Sequence, residues 1–164
     1  MPTTINTCEK PTYSAEAALT GANNKDMFCI MNPSGSGKVF RVCEVWAVVS
    51  SLNGSNYFIP FEIRKTTTLT GGTSVTPMKW DSNDASSAAN FRHTPTGLTD
   101  AGIWSTFVKE IDKEVSSISN IRGFKPTSWV KPLILYPNEG LYLKQISNNS
   151  STFRVGALWT EDVL

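Results

Sequence analysis

Near the end of the chain, Phe153, Val155, Ala157 and Trp159 alternate with Arg154, Gly156, Leu158 and Thr160. A period of two places one set on a buried face, so the segment reads as a strand. Two more apolar runs precede it, Leu133 to Tyr136 and Leu141 to Ile146. Pro137-Asn138-Glu139-Gly140 stands between them, where Pro presets φ and Gly accepts φ > 0, and Ser147 to Ser151 is polar turn material. Three runs joined by two short turns predict an antiparallel meander, whose apolar face needs a second sheet to cover it.

Further upstream, Met27 to Met31 is a short apolar strand, followed by the turn Asn32-Pro33-Ser34-Gly35-Ser36-Gly37. From Val39 to Val49, one face carries Val39, Arg41, Cys43, Val45 and Ala47, and the other Phe40, Val42, Glu44, Trp46 and Val48. Both faces are largely apolar, which predicts a central strand covered on both sides. Asn53-Gly54 signals a hairpin, and Tyr57 to Lys65 is the next strand, which Pro60 marks as an edge or a bulge. Thr66 to Asp100 is punctuated by Gly71-Gly72, Pro77, Pro95 and Gly97 and reads as a long loop, with one short strand within Thr73 to Trp80. Loops of that length in a small domain are usually functional.

The segment 103–118 supports two readings. Ile103, Phe107, Ile111, Val115 and Ile118 recur at helical spacing, with Lys109, Glu110, Asp112, Lys113 and Glu114 on the other faces and Thr99 or Asp100 able to cap the start. The β-branched content and the alternation of Ile103 to Phe107 favour a strand instead; the helix is the preferred reading. Residues 1–26 are polar, contain Pro2 and Pro11 and lack a sustained period, so they are expected to form an extended N-terminal arm, with one helical turn at most over Ala15 to Leu19. Together these elements predict a mainly β protein: one antiparallel β-sandwich domain over 27–164, the arm, and one short helix if 103–118 takes that form.

Composition narrows the function classes. The chain has 164 residues, enough to bury a core as one domain. Only 18% of residues are charged and the net charge is +1, so no electrostatic footprint for nucleic acid or an anionic membrane is present. No apolar run approaches the roughly 20 residues that span a bilayer. The start, MPTTINTCEK, lacks the basic and apolar regions of a secretory signal, which places synthesis in a cytoplasm. Cys8, Cys29 and Cys43 are odd in number and far apart, matching neither a disulfide framework nor a zinc site.

Candidate chemistry is sparse. Asn32 to Lys38 ends in Gly-Lys after a strand, as a phosphate loop does, but Asn32 replaces the first Gly and Val39 the magnesium-binding hydroxyl. Asp81-Ser82-Asn83-Asp84 begins like a calcium loop, yet Ser86 stands where Gly is needed and Arg92 where the closing Glu belongs. His93 is the only histidine, so a multi-histidine metal site is excluded, and neither a nucleophile elbow nor a Cys/His signature accompanies it. The acidic residues around Lys109 and Lys113 form a solvated face rather than a carboxylate pair. The residues imply no enzyme, cofactor or metal. Of the five tryptophans, Trp80 and Trp129 lie in polar or Pro-containing surroundings and are expected to be exposed.

Three features carry a family resemblance: the expected hairpin Met27–Val49 with its Asn-Pro-Ser-Gly-Ser-Gly turn, the loop Leu69-Thr70-Gly71-Gly72-Thr73-Ser74-Val75-Thr76-Pro77, and the closing block from Leu135 to Glu161. In strand and turn style the chain resembles the jelly-roll decoration, or cement, proteins of tailed-bacteriophage capsids over most of 27–161. The resemblance implies a jelly-roll-like virion protein without chemistry. Such a protein is made in the host cytoplasm, sits as a homotrimer on the capsid exterior and clamps neighbouring major capsid subunits. On this reading the expected partner contacts are Thr3, Thr4 and Ile5 of the arm, Trp80, Phe91 and Arg92 of the long loop, and Trp129. Two alternatives are a carbohydrate-binding β-sandwich module using exposed Trp and Asn, and another phage structural part such as a tail, baseplate or head fibre. A hydrolase would need His93 beside a serine or carboxylate.

Overall fold

The computed structural model describes residues 10–53, 58–110 and 132–164. Among these, eleven strands form and no helix does: β1 (Thr12–Thr20), β2 (Lys25–Asn32), β3 (Lys38–Ser51), β4 (Phe58–Thr70), β5 (Thr73–Ser74), β6 (Met78–Lys79), β7 (Asn90–His93), β8 (Gly97–Glu110), β9 (Leu133–Leu135), β10 (Glu139–Gln145) and β11 (Thr152–Val163). They make two sheets, β6-β1-β11-β3-β9 (sheet A) and β5-β7-β2-β10-β4-β8 (sheet B), antiparallel throughout. The sheets pack face to face as a β-sandwich, the expected architecture.

The closing runs are strands as expected, but they do not form a meander. β9 and β11 lie in sheet A while β10 lies in sheet B between β2 and β4. Both short turns therefore pass from one sheet to the other. The alternation fixes which side chains of β11 point inward; its neighbours follow from packing, with nine registered positions against β1 and twelve against β3. The same correction applies to Met27–Val49. β2 and β3 belong to opposite sheets, and the Asn32–Gly37 segment links the sheets, with Gly35 at φ 77° and Gly37 at φ 65°. Asn53-Gly54 likewise closes no hairpin, because β3 and β4 lie in different sheets; residues 54–57 fall outside the described set.

β3 explains why its sequence is apolar on both faces. Val42 pairs with Trp159 and Glu44 with Leu158, leaving Cys43 as an extra residue, a β-bulge. Phe40 and Val42 point inward before it, and Val45, Ala47 and Val49 after it. The buried phase changes once along the strand, and Glu44, Trp46 and Val48 face out. β4, where Pro60 predicts an edge or a bulge, is interior between β10 and β8. Pro60 is tolerated because the β10 ladder ends at Phe61, and the Pro60 carbonyl accepts the Ile146 N–H at 3.0 Å.

Thr12–Thr20 is a strand of the body rather than part of an arm. Tyr13, Ala15 and Leu19 are buried, and small alanines had hidden the period of two. The preferred helix is also overturned for Ile103–Glu110, which lies in β8; residues 111–118 fall outside the described set. Spacings of four suit a strand as well as a helix, since i and i+4 share a face in both. Phe107 pairs with Phe61 and stacks on it at 5.4 Å. Residues 66–100 hold less loop than expected: β4 and β8 extend into it, and β5, β6 and β7 add edge strands to both sheets beyond β1 and β2. Phe91 on β7 joins an aromatic file across the core, Tyr13–Trp159–Phe91–Phe28, with centroid separations of 6.1, 6.3 and 4.9 Å.

Candidate contact surfaces

The residues of the three chemical look-alikes are engaged in local contacts. Lys38, which closes the phosphate-loop-like segment, places its ammonium 3.0 Å from Oε2 of Glu161. Asn32 donates to the carbonyls of Lys38 (2.8 Å) and Leu135 (3.0 Å), tying the turn to β9. In the calcium-like segment, the Asp81 side chain accepts the Asn83 N–H at 2.9 Å, and the Lys79 ammonium donates to the carbonyls of Ser82 (2.9 Å) and Asp84 (2.8 Å). A lysine thus fills the cation position. His93 Nδ1 lies 3.3 Å from the hydroxyl of its neighbour Thr94. Among the described residues no cluster of three His, Cys, Asp or Glu side chains is gathered for a metal. Burial pushes both the Cys29 and Cys43 thiols up, away from the reactive thiolate.

Of the expected contact residues, the three that are described do not converge. Thr3, Thr4, Ile5 and Trp129 lie outside the described residues. Phe91 is only 1% exposed and belongs to the core, so it is no surface contact; its place opposite Ile30 on β2 turns it inward. Arg92 faces the outside of sheet B and donates to Asn90 Oδ1 (3.2 Å) and the Gly71 carbonyl (3.1 Å). Trp80 is 68% exposed on the outside of sheet A, so Trp80 and Arg92 occupy opposite faces of the sandwich.

The outer face of sheet A carries residues that the sequence reading did not select. Ser14 on β1 pairs with Met78 on β6 and Leu158 on β11, and Leu158 pairs with Glu44 on β3. One step along, Glu16, Gly156 and Trp46 form the next row. The Trp46 indole reaches across β11 over Gly156 and donates from Nε1 to Glu16 Oε2 at 3.0 Å. Trp80 donates from Nε1 to Ser14 Oγ at 3.2 Å. Arg154 pairs with Glu16 at 2.9 Å. The phase change at Cys43 was the missing signal: only the bulge sends Trp46 outward.

The outer face of sheet B is crossed by its own ion pairs. Arg64 bonds Glu62 Oε2 at 2.7 Å and the carboxylate of Asp100, and Lys144 meets Asp26 at 3.3 Å. The Arg64 hydrogen bond, with help from the Gly102 N–H, holds Asp100 below the usual carboxylate range. Burial pushes Tyr142 up to about 12, despite the opposing charge of Arg64. Among the described strands β8 is an edge of this sheet, 14 residues long, with Ile103 and Val108 about half exposed. The other three edges, β5, β6 and β9, are two or three residues long. Comparison of the chain with protein-family models, curated proteins and solved structures finds no match.

Proposed function

We propose that the chain is a non-enzymatic structural protein, a capsid decoration or cement protein that binds the outer surface of a phage head and bridges major capsid subunits. The observation that carries the reading is β8. A long edge strand exposes unpaired backbone groups and is normally shortened, charged or covered. Three edges of this sandwich are short, whereas β8 pairs with β4 alone among the described strands and carries exposed Ile103 and Val108. Such an edge suits strand addition by a neighbouring subunit, with backbone hydrogen bonds supplying affinity. Weak contacts of this kind gain by repetition over a shell.

The strand order supports the jelly-roll part of the proposal. Without the short β5, β6 and β7, the sheets read β1-β11-β3-β9 and β2-β10-β4-β8. Numbered by the eight remaining strands these are 1-8-3-6 and 2-7-4-5, the order of a jelly roll built from two Greek keys. The test has two parts. Light scattering on the purified chain is expected to give a trimer. Sedimentation with undecorated phage heads is expected to carry the chain into the pellet, and Ile103→Lys with Val108→Lys to prevent it. A monomer that stays in the supernatant overturns the proposal.

A further inference from the structure

Trp46 on β3 and Trp80 just after β6 lie to either side of β1, yet both indoles are tethered to it. Their N–H groups bond Glu16 and Ser14. Those anchors are two residues apart on one strand, about 7 Å along the sheet at the usual rise. Trp46 lies against the backbone at Gly156, where an added Cβ would come within 2.5 Å of its Cζ2. With both N–H groups satisfied, what the pair offers to solvent is ring surface. We propose that this outer face of sheet A is a binding platform for an extended, neutral saccharide chain.

The arrangement of polar groups favours a saccharide over a protein partner. The centre of a protein interface is depleted of charge. Here Ser14 and Glu44 share a row with Leu158, Glu16 shares the next row with Trp46, and Arg154 reaches Glu16 from the row beyond. A sugar ring has an apolar C–H face that stacks on an indole and a rim of hydroxyls that bond to carboxylate and guanidinium groups. The alternation of apolar ring and charged group matches that dual surface. Glu16 and Arg154 neutralise each other, so the platform has no positive field to select an acidic polymer. Among the described residues the face is a pleated sheet without a wall, which suits a polymer crossing it rather than an enclosed monosaccharide. The surface is separate from the β8 edge, so the fate of this proposal is independent of the capsid reading.

The test is native electrophoresis of the full chain in gels cast with dextran, yeast mannan, barley β-glucan or, as an acidic control, alginate. Retardation by at least one neutral polymer is expected, and Trp80→Ala should weaken it by about tenfold, the equivalent of roughly 1.4 kcal/mol of lost stacking. Trp80 is exposed, so this substitution leaves the fold in place. Glu16→Gln should weaken it too, and Arg92→Ala, on the opposite face, should leave it unchanged. The proposal is overturned if no neutral polymer retards the chain, if Trp80→Ala migrates like the parent, or if only alginate acts. Head binding lost in Trp80→Ala without any polysaccharide retardation would also overturn it, by assigning the face to a protein.

Discussion

Gly156 of β11 lies beneath the indole of Trp46 from β3, and a methyl group at 156 would meet both that ring and the carbonyl oxygen of Ala15. The glycine is required by close approach: its neighbours on either side leave no volume for a side chain. Gly156→Ala is therefore expected to cost about 1–3 kcal/mol, the range for forcing extra atoms into a packed site. Urea unfolding with tryptophan fluorescence reads both effects, a lowered midpoint and a changed native spectrum as Trp46 is displaced. An unchanged midpoint would show that the strand relaxes around the methyl group.

Cys43 acts through its position rather than its sulfur. As the extra residue of the β3 bulge, it allows Phe40 and Val42 to face the core together with Val45, Ala47 and Val49. Deleting it would send one of these two sets outward, since a one-residue slip reverses every side chain beyond it. Deletion of Cys43 is expected to abolish cooperative unfolding, while Cys43→Ser should retain it. Near-ultraviolet circular dichroism distinguishes the two variants.

Glu161 is a buried carboxylate that gathers donors from four places. It accepts from the Lys38 ammonium at 3.0 Å, the Ser87 hydroxyl, the Ala88 N–H at 3.1 Å and Trp159 Nε1 at 3.2 Å. Glu161→Ala strands these groups. Lys38 is partly solvated, so the cost should fall near the lower end of the range for breaking a buried pair, about 3 kcal/mol. Glu161→Gln keeps acceptor capacity and should cost less. The loop from Ser82 to Ala89 should become sensitive to limited proteolysis in the alanine variant before the rest of the fold does.

Acid should destabilise the protein through carboxylates held below their ordinary range. For Asp100 the main cause is Arg64. For Asp162 burial acts upward, but the hydrogen bonds from Arg41 and Lys10 outweigh it; for Glu139 those from Lys65 and the Tyr136 N–H do the same. Each group binds its proton more weakly folded than unfolded. The stabilisation is thus fully present above the unfolded carboxylate values of about 4, and is lost as pH falls through them towards the lower folded values. A plot of Tm against pH should be level near neutrality and drop below about pH 4. Asp100→Asn should lessen the slope there; an identical slope would remove Asp100 from the account.

Much of the strand content was legible because side-chain alternation is a local property. The inward set of β11 could be read directly, as could β2, β10 and the sandwich class. Residues 12–20 were missed because Ala15, Ala17 and Ala18 are too small to mark a face, and 103–110 was misread because a spacing of four fits two structures. The contact surface was less legible. Trp80 was found from its polar surroundings, but its companion Trp46 was assigned to a strand with two covered faces. Phe91 reads as a loop contact from its loop-like surroundings, and only its pairing with Ile30 places it in the core.

By itself, then, the sequence determined that this is a β-sandwich and which residues of its regular strands face the core. Side chains alternate along any strand, and burial of the apolar set is a strong local constraint. Only the tertiary structure decided the partners: that the closing strands alternate between sheets, that β3 changes phase at Cys43, and that Trp46 and Trp80 are both anchored on β1. Every strand presents the same backbone donors and acceptors, so hydrogen bonding does not distinguish one neighbour from another. The choice is made by how whole faces pack, a non-local sum to which residues as distant as Tyr13, Phe91 and Trp159 contribute together.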